Sequence, residues 1–379
     1  MTNEPVTVAK GLEGVVAEAT KLSDVQGEVG RLLYRGYDIN DLAEFSTFEE
    51  TVYLLWYDAL PTQAQLDEFR ARLAAQRALP AGVIAQMKTY PHDATPMDVL
   101  RTVVSLLGVY DTEKGDAVAL APTQALRLTA QMATIAAAWN SVRQNLEPVA
   151  PRADLNHAAN FLYMLTGEEP DPRAARIMDT ALVLHADHSL NASTFVARSI
   201  ASTLSDLYSA IVGAIAALKG PLHGGANEAV MRTLLQIGSV EGVEPYVEQT
   251  LANKGKVMGF GHRVYKANDP RAEYLRKIAR EAGEVTRNPL WYEMQEAMRR
   301  AVQARKNLPV NVDFYSASVY YALGIPVDLF TPVFAQSRIA GWSAHVLEQY
   351  ADNRIVRPDA LYIGARDLKY IPISERTGQ

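Results

Sequence analysis

Apolar residues recur along most of this chain at spacings of three and four, the period of an amphipathic helix. Thr47 and Glu50 read as a capping-box start, and Val52, Leu55 and Trp56 follow it before Pro61 stops the helix. Residues 63–77 predict a more polar helix with one exposed face. Thr95-Pro96-Met97-Asp98 is a second start, with an N-cap, proline at N1 and an acid in the first turn; Leu100, Val103, Val104 and Leu107 then form a buried stripe. Further helices are predicted over 123–145, 152–166 and 172–190, the last carrying Ile177, Ala181, Leu184 and His188 on one face. Residues 205–218 are apolar nearly all round, which predicts burial on every side, in a core or a subunit interface, with Gly213 permitting close helix contact. One more helix is predicted at 228–237, and another at 332–350 with Val333, Ile339, Trp342 and Val346 inward. Only residues 11–40 differ. Val15-Val16 and Leu32-Leu33-Tyr34 are short apolar runs set off by Gly27, Gly30 and Gly36, which reads as strands and turns. The predicted class is mainly α with a minor β region near the N-terminus.

After Gly220-Pro221, glycine and basic residues become more frequent and the helices shorten. A smaller domain is therefore expected at 221–320, between a large helical domain begun in 1–220 and its return segment and tail in 321–379. The 379 residues can enclose a substantial core. A net charge of −6 gives no indication of a nucleic-acid surface, and the absence of cysteine excludes disulfides, thiol catalysis and thiolate metal sites. There is no uncharged apolar run of membrane-spanning length and no export signal, so the expectation is a soluble cytoplasmic protein.

The candidate chemistry is concentrated between the segments K-G-P-L-H-G-G-A-N-E and K-V-M-G-F-G-H-R-V-Y-K, where His223 and His262 stand beside glycines. Glycine lets a ligand approach the backbone. His223 precedes a predicted helix, whose N-terminus tends to keep an imidazole neutral and able to donate to a developing oxyanion; the alternative is a structural histidine. Gly259-Phe260-Gly261 lacks the third glycine and the βαβ setting of a dinucleotide loop. Lys256, Arg263 and Lys266 around it suit an anionic ligand such as a phosphate, or form a solvated basic loop. Asp269-Pro270-Arg271 is a helix start in which Asp269 serves as the cap, and Arg271 is mildly unfavourable against the dipole, a weak sign of an anionic ligand. Arg338, beside Ile339 and Trp342, requires a partner. Asp313, between Val312 and Phe314, suits a general base of raised pKa, or is a turn residue. His185 and His188, three apart on a predicted helix, allow a metal reading with Asp187. No supporting motif accompanies it, and His188 reads better as a polar group facing a cleft.

Taken in order, G-L-E-G-V, R-G-Y-D-I, H-A-D-H, K-G-P-L-H-G-G-A-N-E, M-G-F-G-H-R-V-Y-K-A-N-D-P-R, N-V-D-F-Y and N-R-I-V-R-P resemble the citrate synthases, over nearly the whole chain. The likeness is to the short, dimeric bacterial and archaeal type, and it implies a multi-helical fold whose small domain closes over substrate. It further implies that acetyl-CoA and oxaloacetate are condensed, and citryl-CoA hydrolysed, without a cofactor or a metal. By that resemblance His223 hydrogen-bonds the thioester carbonyl, Asp313 removes a methyl proton and His262 activates the ketone of oxaloacetate. His188, Arg271 and Arg338 hold its carboxylates, with Arg357 supplied by the second subunit of a homodimer. CoA contacts are assigned to Lys256, Gly259, Phe260, Gly261, Arg263 and Lys266. The rivals are a 2-methylcitrate synthase using propionyl-CoA, a metal-dependent hydrolase built on His185, Asp187 and His188, and a helical interaction protein without catalysis.

Overall fold

The computed structural model of the chain describes residues 8–261, 264–306 and 308–376. Three short antiparallel strands come first: β1 Ser23–Gln26, β2 Arg31–Tyr34 and β3 Tyr37–Asp38, in that order, with Ser23 opposite Tyr34. Leu32 and Tyr34 point into the core. Val15 and Val16, expected in a strand, lie outside the sheet in irregular chain, and Val16 is 91% exposed. An apolar pair without flanking alternation specifies no buried face.

Sixteen α-helices follow among the described residues. The first eight are α1 Ile39–Phe45, α2 Phe48–Tyr57, α3 Gln63–Ala75, α4 Ala81–Met87, α5 Pro96–Tyr110, α6 Ala117–Val142, α7 His157–Thr166 and α8 Pro172–His185. The remainder are α9 Ala192–Ala201, α10 Leu207–Leu218, α11 Ala226–Ile237, α12 Val243–Ala252, α13 Pro270–Val285, α14 Leu290–Gln303, α15 Val312–Ala322 and α16 Phe330–Ala351. Thr47 and Thr95 cap α2 and α5 as their sequences predict, each side chain accepting from the amide three residues on. Helix α6 starts at Ala117, capped by Asp116, so Pro122 lies inside it and hides its first turns from the sequence pattern. Helix α8 stops at His185, well short of 190. His188 is therefore not on the helical face it was expected to share with His185.

The apolar interior forms two clusters. One gathers the sheet, α1–α3, α7, α8 and α11–α15; the other gathers α4, α5, α9 and α10; and α6 gives residues to both. Helix α16 lies between them, turning Phe330, Val333 and Ala340 to the first and Phe334, Ile339 and Trp342 to the second. Each such fully buried large side chain contributes about 1.5–3 kcal/mol of transfer free energy. Helix α16 is enclosed almost all round within the chain. Within one chain α10 leaves Ala216 exposed and Val212 half-buried. Gly213 does allow close contact with α9, since a Cβ there would sit 2.2 Å from Ile200 Cδ1.

Candidate active site

Helix α16 and the turn after α8 place the first group. Three consecutive carbonyls of that turn are held. Arg338 Nε donates to His185 O at 2.7 Å, the amide of Gly341 to Ala186 O at 3.0 Å, and the Tyr34 hydroxyl to Asp187 O at 2.8 Å. Ser189 then takes a left-handed conformation, φ +51°. Between these fixed points stands His188, 9% exposed, its ring centroid 5.6 Å from that of Tyr265.

At the start of α13 the Asp269 carboxylate does two jobs. It caps the helix at the Arg271 amide, 3.0 Å, and grips the Arg271 guanidinium through Nε at 3.0 Å and Nη2 at 2.7 Å. Both residues are buried. The sequence reading of Asp269 as a cap alone missed this ion pair. Burial works against the Arg271 charge, and Asp269 outweighs it, holding the guanidinium above its ordinary pKa. Arg338 is different. It is buried and has no ion pair within 4 Å among the described residues; its guanidinium lies 4.6 Å from the Phe334 ring centroid. Burial pulls its pKa down to about 10, against the fields of Asp187 and Tyr34. It still carries its charge at neutral pH, and an anionic ligand would complete it.

Asp313 occupies the first turn of α15, whose N-cap is Asn311. Its Oδ1 is buried without a hydrogen-bond partner. Burial pushes the carboxyl up to about 7, with Arg271 opposing, Asp269 reinforcing and Arg338 opposing. Opposite in sense is His223, in the turn before α11. Burial, then the charge of Arg338, push it down to about 4, so it is neutral at physiological pH. Its Nε2 meets Ser193 Oγ at 2.8 Å and the Ser193 amide at 3.3 Å. An amide can only donate, which assigns Nε2 as acceptor and leaves the proton on Nδ1. His223, Asp313, Arg271 and Arg338 thus share one electrostatic neighbourhood, although their sequence positions span more than a hundred residues.

The glycine loop supports this neighbourhood from behind. Gly259 O accepts from the Asn311 amide at 3.0 Å, and Gly261 N donates to Pro309 O at 2.8 Å. Phe260 packs edge-on against Phe314, centroids 4.8 Å apart. A Cβ on Gly259 would lie 2.6 Å from Phe314 Cδ2, and its φ is +84°. The need for glycine there is thus explained by the packing of Phe314, next to Asp313. Lys256 is exposed, and Lys266 is exposed and paired with Glu28 at 2.5 Å. His262 and Arg263 lie outside the described residues. Arg357 is exposed in the tail and pairs with Asp359 at 2.9 Å.

Geometry does not favour the metal reading. His185 Nδ1 turns to Ala181 O of its own helix at 2.7 Å, while Asp187 turns to Ser23 at 2.5 Å. Among the described residues no three His, Asp or Glu side chains are grouped as a metal site. The sequence reading overlooked Ser193, Tyr34 and His345. No local pattern marks them, because their partners lie 30 to 158 residues away.

Comparison with known proteins follows the same direction. The family model described as "Citrate synthase, C-terminal domain" matches residues 11–359. The chain is 50% identical over 376 residues to citrate synthase 2 of Bacillus subtilis, covering 98% of this chain and all of that one. It is 44% identical to 2-methylcitrate synthase 2 of Corynebacterium glutamicum, over 97% and 98% of the two chains. Among solved structures it is similar to citrate synthase from Pyrobaculum aerophilum, with a TM-score of 0.90, 44% identity, and coverage of 97% and 95%. It is also similar to the Thermoplasma acidophilum enzyme in ternary complex with carboxymethyl coenzyme A and oxaloacetate, with a TM-score of 0.90, 32% identity, and coverage of 98% and 100%.

Proposed function

The chain belongs to the citrate synthase family, and from that premise we propose how the groups around Asp313 divide the family's reaction among them. The activity is an acyl-CoA condensation: acetyl-CoA is joined to oxaloacetate, and citryl-CoA is hydrolysed to citrate and CoA at the entry to the citric acid cycle. Two opposed shifts carry the assignment of roles. A carboxyl raised to about 7 is a base poised at neutral pH, and an imidazole lowered to about 4 is a neutral donor.

Asp313 takes a proton from the acetyl methyl group as the C–H bond breaks. Nδ1–H of His223 donates to the thioester oxygen, on which negative charge collects. A methyl group beside a thioester is a very weak acid, so base and donor must act together. The resulting enol carbon attacks the ketone carbon of oxaloacetate, and His262, carried over from the resemblance, supplies a proton to the ketone oxygen. Water then cleaves the thioester. Arg271, Arg338 and His188 orient oxaloacetate through its carboxylates, guanidinium forks giving bidentate geometry that lysine lacks. The relative held in ternary complex with oxaloacetate supports that choice of ligand. Closure of the 221–320 segment over oxaloacetate would exclude water and complete the acetyl-CoA site, limiting wasteful thioester hydrolysis. Lys256, the loop 259–261, Arg263 and Lys266 are assigned to CoA, the lysines and arginine to its phosphates. No cofactor or metal is called for.

A homodimer is part of this reading. The tail beyond Asp352 exposes Ile355, Tyr362, Ile363, Leu368 and Tyr370, an apolar surface suited to a second copy. It would carry Arg357 to the neighbouring site. No helix among the described residues is long and apolar enough to cross a membrane; we assign the protein to the cytoplasm.

The experiment is CoA release, followed with a thiol-reactive dye, with oxaloacetate and either acetyl-CoA or propionyl-CoA. A higher kcat/KM for acetyl-CoA is expected. Preference for propionyl-CoA would assign a 2-methylcitrate synthase, the reading favoured by the 44% identical relative. One methylene is worth only about 1–3 kcal/mol in a pocket, so the same catalytic groups serve either. Oxaloacetate-independent release, or none, would overturn both.

A further inference from the structure

We propose that Asp187, held by His345, is a positioning residue for His188, so that oxaloacetate affinity depends on a buried carboxylate that touches no substrate. The inference rests on the reading of His188 as an oxaloacetate ligand. Asp187 is fully buried and charged. Burial opposes its ionisation and is outweighed by the groups that bond it, His345 and Ser23 by hydrogen bonds, and by the charge of Arg338. Its Oδ2 accepts from Ser23 Oγ at 2.5 Å and from the Ser189 amide at 3.0 Å. His345 Nε2 lies 3.3 Å from Oδ1 and 3.4 Å from Oδ2. The other nitrogen, Nδ1, lies 3.3 Å from Arg198 Nη1, and a guanidinium only donates. That assigns Nδ1 as acceptor and puts the imidazole hydrogen on Nε2, aimed at Asp187. Arg198 is itself neutralised by Glu348 at 2.6 Å and Glu18 at 3.6 Å.

The backbone of Asp187 is held just as firmly. The Tyr34 hydroxyl accepts from its amide at 3.0 Å and donates to its carbonyl at 2.8 Å. Helix α16 comes so close that a Cβ on Gly341 would lie 2.3 Å from Asp187 Oδ1. One carboxylate therefore joins β1, the α8–α9 turn and α16. His188 sits between a residue fixed at both backbone groups and one whose amide is fixed to the same carboxylate. These bonds hold the main chain on both sides of His188 and so fix the point from which its imidazole extends. Such supporting contacts hold a ligand group within the fraction of an ångström that binding requires.

The test compares Asp187→Asn, His345→Leu, His345→Gln and His188→Asn for kcat, for KM toward each substrate, for oxaloacetate binding by calorimetry and for Tm. The three hydrogen bonds all end on Oδ2 and Oδ1 has none, so Asp187→Asn leaves an oxygen for the donors but removes the charge that holds them. Asp187→Asn is expected to raise the oxaloacetate KM and Kd about tenfold to a hundredfold, with the acetyl-CoA KM at saturating oxaloacetate nearly unchanged. His345→Leu should follow it. His345→Gln, which keeps a donor toward Asp187, should recover most of the affinity. Ser23→Ala removes one donor and should move the KM in the same direction by less, and it decides the matter should Asp187→Asn fail to fold. Wild-type oxaloacetate binding in Asp187→Asn or Ser23→Ala, a loss of Tm alone, or equal behaviour of the two His345 variants would overturn the proposal. An unchanged oxaloacetate KM in His188→Asn would instead overturn the reading of His188. Impairment in His188→Asn without impairment in Asp187→Asn would sink only the positioning role.

Discussion

The Nε2 of His223 lies 2.8 Å from the Oγ of Ser193, so the imidazole ahead of α11 is steadied from the first turn of α9. The same oxygen accepts from Trp342 Nε1 at 3.0 Å and has Asn191 Oδ1 2.8 Å away; a hydroxyl has one hydrogen, and with Nε2 an acceptor that hydrogen points to the imidazole. Ser193→Ala removes this anchor and leaves the indole N–H without a partner. The expected result is a fall in kcat of about tenfold or more with the oxaloacetate KM little changed, because an oxyanion donor acts in the transition state. Steady-state kinetics would check it; a change confined to the oxaloacetate KM would remove His223 from the thioester side of the site.

Asp313 has a pKa of about 7 because burial disfavours its charge. The reactive form is the carboxylate, so kcat/KM for acetyl-CoA should fall as pH drops below about 7, while His223, lowered to about 4, stays neutral throughout. Asp313→Asn should lose about a hundredfold to ten-thousandfold in kcat and still bind oxaloacetate in a calorimeter. Near-normal turnover in that variant would remove Asp313 from its role as base.

The same shift has a stability consequence. From the ordinary Asp pKa of 3.8 up to about 7, the folded state binds more protons at Asp313 than the unfolded chain does. Its contribution to stability therefore falls as pH rises through that window and stays low above it. Asp313→Asn removes the penalty. Thermal unfolding at pH 5 and pH 8 should show the variant gaining Tm over wild type, and gaining more at pH 8. An equal difference at both values would mean the carboxyl is not strained in the folded state.

At Gly259 the backbone has φ +84° and a Cβ would meet Phe314 at 2.6 Å. Gly259→Ala combines backbone strain with a displaced aromatic ring beside the base. A loss of about 1–3 kcal/mol in urea unfolding is expected, together with lower kcat. If stability and kcat are both unchanged, the loop does not support Asp313.

Arg357 gives a complementation test of the shared site. Mixing Asp313→Asn with Arg357→Ala chains by refolding would place one intact site in each mixed dimer if Arg357 acts across the interface. Recovery toward about a quarter of wild-type activity is expected from random pairing. No recovery in dimers shown to be mixed would place Arg357 in its own subunit's site or outside any site.

Much of this protein was legible in its residues. Caps such as Thr47, Thr95 and Asp269, and the helical period between them, act within one or two turns, so the sequence alone determined the helical class and the starts of α2, α5, α8 and α13. The family's motifs pointed to His223, Asp313, Arg271 and Arg338. What local pattern could not decide was how those groups are held. Period alone carried α8 past His185, whereas the structure ends it there and spends the next three carbonyls on Arg338, Gly341 and Tyr34. The pairing of Asp187 with Ser23 joins residues 164 apart, and that with His345 joins residues 158 apart. Partners at such separations depend on which helices pack together. The packing also sets how deeply Asp313 and His223 are buried, and burial is the largest cause of both pKa shifts. The sequence alone determined the kinds of groups available for the chemistry; tertiary structure decided their charge states and directions, because desolvation and orientation come from neighbours brought in from elsewhere in the chain.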